Sequence, residues 1–494
     1  MFERITPEEA GISSKTIEKF LRLLDKRGAI MHSVLMMRHG KVLTEHYWAP
    51  FNKDFCHRMY SQTKSYAAIA IGLLEEEGKL SLDDKVSDIF PDKIDGKLSP
   101  FIMGQTVRQM LTMTTVGNPN NWFLAGDPDR THLYFNGRDR APHHPGTIWE
   151  YDSAGSQVLA AIAERLSGMA LMDYLKSKLF NKMGTFQTAD MLKTPNGDSW
   201  GDSALLCTTR DMASFAELLR NGGRWNGEQL INEKFVKDAT SKQVDNASSW
   251  FNACFIHGYG YQIWRTEQNG FAFVGMGDEL TICLPDRGFT FVCTADHQGT
   301  DNLIRNILVN ALFDIVVDSM EDAPLAKDDA AVASLADYTK DLKLRAMQGA
   351  EDSAFRSELS GTTYVCDANP MGWSEFTFNF DSKDAGTLRY VNAQGEKEIP
   401  FGVNHNVFGK FPQLGYSDGK GGVRTTDGFM YKDAVSLAWL DEKKLILFVQ
   451  IIDRYFGLMS AVFAFNGDHA AAQFKKVGED FLNEYQGELI AKRK

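Results

Sequence analysis

Apolar positions in the first 75 residues follow two spacings, which predict helices and a hairpin. Apolar residues recur with the period of one helical face over 17–24, so we predict a helix there. Residues 33–38 and 42–48 are apolar stretches on either side of His39-Gly40, which predicts two antiparallel strands joined by a tight turn. Residues 61–74 are rich in alanine and isoleucine and predict a buried helix.

The pattern between about residues 80 and 230 is mainly helical, with long loops. The clearest predicted helices cover 107–111, 157–166, 172–180 and 210–219. Residues 117–146 lack periodicity and contain several proline pairs, which predicts a long loop of the kind that forms a lid or a pocket wall. Within it, Trp122-Phe123 either lines a substrate pocket or anchors the loop.

Strand patterns return in the last part of the chain. They cover 259–264, 279–284 and 289–294, and a helical pattern follows over 302–317. After a linker rich in alanine and charge, which we expect to carry one helix, alternating phenylalanines and glycine-rich turns predict an antiparallel β domain with one wet face. The chain has 494 residues, which is too many for one hydrophobic core and therefore predicts two or three domains.

Composition and charge exclude several classes of partner. The net charge is −12, whereas a protein that neutralises many phosphates needs the opposite balance. We therefore expect no nucleic-acid partner. No window approaches the ~18 apolar residues of a membrane-spanning helix, and the start has no basic segment followed by an apolar one, as a secretory signal would. These features predict a cytoplasmic protein without a membrane partner.

Cysteines and histidines give no metal-binding pattern. Because the cysteines form no CxxC pair and several lie in apolar runs, we predict buried, reduced thiols rather than disulfides or zinc ligands. Neither His143-His144 nor Asp296-His297 has the i, i+4 spacing of a helical metal site, so we predict solvated loop histidines. The cysteines are Cys56, Cys207, Cys254, Cys283, Cys293 and Cys366.

Ser61-Gln-Thr-Lys64 is the candidate for nucleophilic chemistry. If Ser61 opens a helix, Lys64 lies one turn on and on the same face, so its amine can reach the hydroxyl. A serine hydroxyl is a poor nucleophile unless a neighbouring base takes its proton. The helix N-terminus adds free N–H groups, one of which can face a developing oxyanion.

The Ser-x-x-Lys spacing alone is weak evidence, because serine and lysine are common. A second copy is present as Ser417-Asp-Gly-Lys420. It lies in a turn-rich segment of the β domain, where no helix aligns the two side chains. We therefore interpret Ser417 as a structural turn residue.

The surrounding residues make the first copy specific. Met59-Tyr-Ser-Gln-Thr-Lys-Ser-Tyr-Ala-Ala resembles the nucleophile helix of the family of class C β-lactamases, DD-peptidases, β-lactamase-like esterases and nylon-oligomer hydrolases. The resemblance covers roughly residues 5–318, and the further segments match that family in the same order. They are Glu76-Glu-Gly-Lys-Leu-Ser-Leu, Thr106-Val-Arg-Gln-Met-Leu, Pro145-Gly-Thr-Ile-Trp-Glu-Tyr-Asp-Ser, Asn226-Gly, Gly258-Tyr-Gly-Tyr and Pro285-Asp-Arg-Gly.

The resemblance implies an α/β (α+β) architecture. An antiparallel sheet is built from the two ends of residues 1–318, helices flank it, and a mostly helical insertion at about 80–230 forms one wall of the cleft. Residues 319–355 would be a linker carrying a helix. Residues 356–494 would form the C-terminal antiparallel β domain, which loosely resembles the lipocalin-like modules of some relatives.

The resemblance also assigns a second base. It places Tyr151 where the family has its catalytic tyrosine, which can shuttle a proton to the leaving group. Family members usually have Tyr-x-Asn, whereas this chain has Tyr151-Asp-Ser153. A serine hydroxyl cannot offer the two donors of an amide, so the departure weakens the expected substrate-orienting role of Ser153.

The third family element, Lys-Thr-Gly or His-x-Gly, aligns best with Phe273-Val-Gly275-Met276-Gly277. No basic residue is present in it. Since such a cation helps bind a substrate carboxylate, its loss argues against β-lactams and carboxylate-tailed peptides. The backbone can still stabilise an oxyanion, because the N–H groups of Met276 and Ser61 can together form an oxyanion hole.

These observations predict a serine hydrolase that forms an acyl-enzyme on a small-molecule ester or amide, without a metal or organic cofactor. The division of proton transfer between Lys64 and Tyr151 stays open. So does homo-oligomer formation. Two alternatives remain: a DD-peptidase or β-lactamase activity, and a non-catalytic binding or scaffold protein on the same fold.

Overall fold

A computed structural model describes residues 2–116, 127–137, 143–247, 253–300, 302–413, 430–477 and 485–494. The chain divides into two units. One is formed by Met1–Lys343, and the other chiefly by Leu344–Gly419 and Val423–Lys494.

The first unit combines many short helices with short strands. Its α-helices are α1 Ser14–Lys26, α2 Thr63–Glu76, α3 Val86–Ile89, α4 Pro100–Met103, α5 Val107–Leu111, α6 Arg130–Asn136, α7 Ser153–Ser167, α8 Leu171–Leu175, α9 Asn181–Met183, α10 Thr209–Arg220, α11 Glu233–Thr240, α12 Leu303–Ala311 and α13 Asp329–Thr339. Its strands are β1 Met31–Arg38, β2 Lys41–Tyr47, β3 His57–Arg58, β4 Asp190–Met191, β5 Leu205–Cys207, β6 Arg224–Trp225, β7 Glu228–Gln229, β8 Trp264–Arg265, β9 Phe271–Val274, β10 Leu280–Leu284 and β11 Phe289–Ala295.

The main sheet joins the two ends of the first unit. Within the described ranges its strand order is β2-β1-β11-β10-β9-β8, and neighbouring strands are antiparallel. Met36 of β1 lies opposite Phe291 of β11, so the N-terminal hairpin continues directly into the strands of residues 264–295. The predicted sheet, built from both ends of this segment, is confirmed.

Helices cover both faces of this sheet because its strands are apolar on both sides. The ring of Phe291 packs edge-on against Phe20 of α1, with 6.0 Å between centroids. The next side chain along β11 points the other way, and the hydroxyl of Thr290 donates to Glu217 of α10 at 2.6 Å. Side chains of one strand alternate between the faces, so each layer of helices contacts its own set.

The helical part between β3 and β8 largely follows the sequence pattern, with two differences. The predicted loop at 117–146 contains α6, because the carboxylate of Asp129 caps its first N–H groups. Residues 117–126, with Trp122-Phe123, and 138–142 lie outside the described residues. The strand predicted over 259–264 is reduced to β8, since Gln262 turns the chain with a φ of +58°.

Antiparallel strands form nearly all of the second unit. Across its described residues they form one sheet, which closes through a parallel pairing of β15 with β17. Besides the helical turn α14 Arg356–Leu359, the elements are β12 Thr363–Cys366, β13 Glu375–Phe380, β14 Ala385–Asn392, β15 Gly395–Val403, β16 Val407–Lys410, β17 Lys432–Asp441, β18 Lys444–Ile452, β19 Phe456–Asn466, β20 His469–Val477 and β21 Gly487–Arg493.

The alternating phenylalanines of the second unit form its core. The rings of Phe376 and Phe378 lie 5.3 and 5.0 Å from that of Phe463, and all three side chains are buried. The predicted C-terminal antiparallel β domain is therefore confirmed. Ser417-Asp-Gly-Lys420 lies outside the described residues.

The segment predicted as a linker belongs partly to the first unit. Its helix α13 contacts α1, where the guanidinium of Arg22 lies 4.0 Å from the ring centroid of Tyr338. Lys15 also pairs with Asp328 at 2.8 Å. The first unit accordingly extends to Lys343.

None of the helices among the described residues is both long and apolar enough to cross a bilayer. The six cysteines are free thiols. Cys207, Cys283 and Cys293 are buried, as predicted, whereas Cys56, Cys254 and Cys366 are only half-buried.

Candidate active site

Ser61 lies in a single 3-10 turn, Tyr60–Gln62, that leads directly into α2. Tyr60 has a φ of +44°, a left-handed conformation that is uncommon for a bulky residue and typical of functional sites. Side chains at the start of α2 form hydrogen bonds with residues of neighbouring strands. The hydroxyl of Thr63 accepts the N–H of Leu205 at 3.1 Å, and Gln62 accepts a hydrogen bond from Thr281 at 3.2 Å. These contacts fix the position of Ser61.

Lys64 directs its amine at the candidate nucleophile. Its Nζ lies 2.9 Å from the Oγ of Ser61, and its side chain is only 2% exposed. The same amine donates to the backbone carbonyl of Asp202 at 2.8 Å, and the carboxylate of Asp202 lies 3.7 Å away. The structure therefore brings Ser61 and Lys64 together, and adds a buried aspartate that no motif in the sequence indicates.

Tyr151 lies beside this pair. The centroid of its ring is 5.3 Å from the Nζ of Lys64, and the ring stacks on Trp264 at 5.7 Å with an interplanar angle of 21°. The next residue, Asp152, caps α7 by accepting the N–H of Gly155 and also accepts the hydroxyl of Thr115 at 2.7 Å. The buried cap fixes the backbone next to Tyr151. Ser153 follows as the first residue of α7 and is partly buried.

The turn between β9 and β10 contains Gly275, Met276 and Gly277. The N–H of Asp278 donates to the carbonyl of Gly275 at 3.3 Å, which closes a β-turn. A Cβ on Gly275 would lie 2.6 Å from the carbonyl oxygen of Met59 and 2.3 Å from a carboxylate oxygen of Glu279. Only glycine fits, so the turn lies directly against the residue two positions before Ser61.

A buried ion pair supports the turn from behind. The guanidinium of Arg305 in α12 bonds to Asp278 and donates to the carbonyls of Gly275 and Met276 at 2.8 and 3.1 Å. His297 bonds to the other oxygen of Asp278 through Nδ1 at 2.7 Å. Neither Arg305 nor Asp278 belongs to a motif that the sequence indicates.

The prediction of a solvated loop was wrong for Asp296-His297. Both side chains are buried, and Nε2 of His297 accepts the N–H of Ile30 at 2.9 Å. The reason is that the backbone continues β11 at this point, with the N–H of Asp296 donating to the carbonyl of Ile30. His144, in contrast, is exposed.

Burial and the charge of Arg305 together set the electrostatics around the turn. Burial would raise the pKa of Asp278, but the charge of Arg305 and the hydrogen bond to His297 outweigh it, so this pKa is lowered overall. Burial raises the pKa of Glu279 well above its ordinary value and that of Asp296 to about 7. It lowers the pKa of His57 to about 3. At neutral pH the turn is therefore held by an ionised Asp278 that pairs with Arg305.

No set of three or more histidine, cysteine or acidic side chains is grouped to hold a metal ion in the part of the chain that the structure describes.

The family model described as Beta-lactamase matches residues 17–312, which is more than half of the chain. The chain belongs to the beta-lactamase family. The family resemblance that the sequence motifs indicated is confirmed. The matched residues contain Ser61, Lys64, Tyr151 and the turn between β9 and β10.

Two known proteins are similar to this chain over part of their length. The chain is 26% identical over 254 residues to 6-aminohexanoate-dimer hydrolase of Paenarthrobacter ureafaciens, covering 47% of this chain and 63% of that one. It is 27% identical to penicillin-binding protein 4* of Bacillus subtilis (strain 168), covering 35% and 41%. The chain thus spans less than two thirds of these relatives.

A solved structure supports the fold of the same region. EstCE1, described as a hydrolase with promiscuous acyltransferase activity, superposes with a TM-score of 0.50 and a sequence identity of 15%. The match covers 61% of this chain and 99% of EstCE1.

Proposed function

We propose that this member of the beta-lactamase family is a serine hydrolase that acts on a small ester or amide through an acyl-enzyme on Ser61. The observation that carries the proposal is the 2.9 Å contact between the Nζ of Lys64 and the Oγ of Ser61. A buried amine at hydrogen-bond distance from a serine is the arrangement that an activated nucleophile requires. A binding protein has no need for it.

The reaction proceeds in two steps. The Oγ of Ser61 attacks the substrate carbonyl, and its proton passes to Lys64, directly or with Tyr151. The N–H groups of Ser61 and Met276 stabilise the oxyanion. The tetrahedral intermediate collapses when the leaving group is expelled and takes up the proton, which leaves an ester on Ser61. Water, activated by the same basic groups, then hydrolyses that ester and regenerates the hydroxyl.

The charge around the turn favours a neutral substrate. Residues 271–279 contain no lysine, arginine or histidine. Arg305, behind the turn, is 3% exposed and bonded to Asp278 and two carbonyls, so its charge is already engaged. A substrate carboxylate would therefore lack the cation that binds it in penicillin-recognising relatives, which favours an ester or amide over a β-lactam.

Covalent labelling tests the proposal. Intact mass after treatment with a fluorophosphonate, together with turnover of p-nitrophenyl acetate, is compared for wild type, Ser61→Ala and Ser417→Ala. The last variant is a matched control, because it removes the serine of the second Ser-x-x-Lys copy. We expect one adduct on wild type and on Ser417→Ala but none on Ser61→Ala, whose turnover falls on the order of 10³-fold or more.

Other results would contradict the proposal. An adduct that persists in Ser61→Ala places the nucleophile elsewhere. Wild-type protein that neither labels nor turns over the ester supports the non-catalytic alternative. Efficient hydrolysis of a chromogenic cephalosporin with poor ester turnover supports a β-lactamase instead.

A further inference from the structure

Arg305 bonds to the same peptide group that carries the proposed oxyanion donor. Its Nη2 donates to the carbonyl of Gly275 at 2.8 Å and to that of Met276 at 3.1 Å. The carbonyl of Gly275 and the N–H of Met276 belong to one peptide unit. In a planar trans peptide these two groups point in opposite directions. A guanidinium that fixes the carbonyl therefore also fixes the direction of the N–H.

The N–H of Met276 is available for an external acceptor. It donates to no acceptor among the residues that the structure describes, whereas its neighbours in the turn are engaged. The N–H of Gly275 donates to the carbonyl of Glu279 at 2.8 Å, and the N–H of Gly277 to the carboxylate of Glu279 at 3.1 Å. Met276 itself lies at the corner of the turn and is 42% exposed.

We propose that Arg305 is a positioning residue that aims and polarises the N–H of Met276 for the developing oxyanion. The inference rests on the proposed function. A hydrogen bond from a charged donor to the carbonyl is stronger than one from a neutral donor. Because hydrogen bonds in a chain polarise one another, the bond to Gly275 makes the opposite N–H a better donor.

Asp278 and His297 fix Arg305 in this role. Asp278 binds the Nε of Arg305 with one carboxylate oxygen and Nδ1 of His297 with the other. His297 accepts the N–H of Ile30, immediately before β1, through Nε2. The guanidinium is therefore connected to the main sheet as well as to α12, and all three side chains are buried. A donor held in this way needs no reorganisation during the reaction.

A second buried arginine provides a matched control. Arg38 is 2% exposed, and its guanidinium donates to the carbonyls of Ala10 and Glu321, both at 2.6 Å. Both arginines therefore bind two backbone carbonyls inside the protein, but only Arg305 binds the turn at the candidate active site. Arg38→Gln measures what the loss of such a group does to folding alone.

The test compares an ester with its thionoester, in which sulfur replaces the carbonyl oxygen. Sulfur is a weak hydrogen-bond acceptor, so the thionoester gains little from an oxyanion hole. Removing one oxyanion donor costs ~10²–10³ in kcat, so we expect Arg305→Gln, which loosens a donor, to lower kcat for the ester by about 10- to 100-fold with KM little changed. The thionoester rate should change much less, so the ratio of the two rates falls.

Two further variants separate this effect from damage to the fold. Arg38→Gln should lower the melting temperature but leave the ester-to-thionoester ratio at the wild-type value. Arg305→Lys keeps the charge but places its N–H donors on a single nitrogen, and should recover part of the ratio. If Arg305→Gln does not fold, Arg305→Lys carries the test, with a ratio below that of wild type as the expected result.

The inference is overturned if folded Arg305→Gln keeps the wild-type ester-to-thionoester ratio. Where only Arg305→Lys folds, a wild-type ratio in that variant overturns it. The proposed function is judged separately. Wild-type protein without an adduct on Ser61 refutes the serine mechanism itself. Wild-type protein that labels on Ser61, combined with an unchanged ratio, leaves the mechanism intact and removes only the role of Arg305.

Discussion

The nucleophile helix and the turn between β9 and β10 are the two sides of the candidate active site, and different forces hold them. The 3-10 turn and α2 that follows it contribute the reactive side chains, Ser61 and Lys64, and nearly every residue of α2 is buried. The turn contributes backbone N–H groups. Its position depends on buried charges, chiefly the pair of Arg305 and Asp278.

This difference indicates how each side should respond to change. A helix embedded in apolar side chains tolerates a replacement of similar shape, because its packing is distributed over many contacts. Replacing one partner of a buried ion pair is more destabilising, since it leaves an uncompensated charge inside the protein. Substitutions at the apolar positions of the helix should therefore leave its geometry largely intact. Substitutions at the turn should affect both geometry and chemistry, and so should those at Lys64, which lies 3.7 Å from the buried carboxylate of Asp202.

The largest effect should come from Lys64→Met, which keeps the length and burial of the side chain but removes the amine. We expect kcat for p-nitrophenyl acetate to fall by about 10³- to 10⁴-fold, because general acid–base catalysis contributes up to that amount. Lys176→Met is the control, since the Nζ of Lys176 also donates to a backbone carbonyl, that of Ala189 at 2.8 Å. It should keep wild-type turnover. Equal losses in both variants would contradict the role of Lys64.

A smaller effect is expected for Gly275→Ala. The new Cβ would press on Met59 and Glu279, so the turn must move away from Ser61, and kcat should fall by about 10²-fold as for a lost oxyanion donor. Gly270→Ala, at the other end of β9, creates contacts of 2.2 Å with Thr266. Overpacking should cost both variants about 1–3 kcal/mol of stability. Both variants should fold, but only Gly275→Ala should lose activity. Similar activities in Gly275→Ala and Gly270→Ala would show that the position of the turn does not affect catalysis.

The two sides also differ in how far the sequence predicts them. Ser61 and Lys64 are three residues apart, so a helical period suffices to bring their side chains together, and the neighbouring motifs indicate the family. The helices at 107–111 and 210–219 follow their apolar periodicity almost to the residue.

Local periodicity and motifs do not predict contacts between residues that are far apart in the sequence. Arg305 lies 30 positions after Gly275, and Asp202 lies 138 positions after Lys64. No local period relates such pairs. The sequence pattern predicts a loop at His297, because the burial of this side chain depends on pairing with the start of β1, which the local pattern does not show. Tertiary burial, rather than residue type, decides the chemistry of these groups.

The smallest effect concerns pH and arises on the turn side. Asp296 lies at the end of β11 beside Gly277, and burial raises its pKa from 3.8 to about 7. Between these values the folded protein binds more protons than the unfolded chain, so its stability falls as pH rises. From pH 5 to pH 7 this group should lower the free energy of unfolding by about 2 kcal/mol, since each pH unit is worth up to ~1.4 kcal/mol.

Asp296→Asn cannot titrate, so it should lack this part of the decline and gain about 2 kcal/mol relative to wild type on going from pH 5 to pH 7. Denaturant unfolding of both proteins at pH 5, 6 and 7 measures the difference, in which the titration of all other groups cancels. Asp54→Asn, at an exposed position, is the control for the loss of one carboxylate. Parallel profiles for wild type and Asp296→Asn would mean that Asp296 stays ionised throughout. The buried network behind the turn would then contain a second anion, whose charge acts on Asp278.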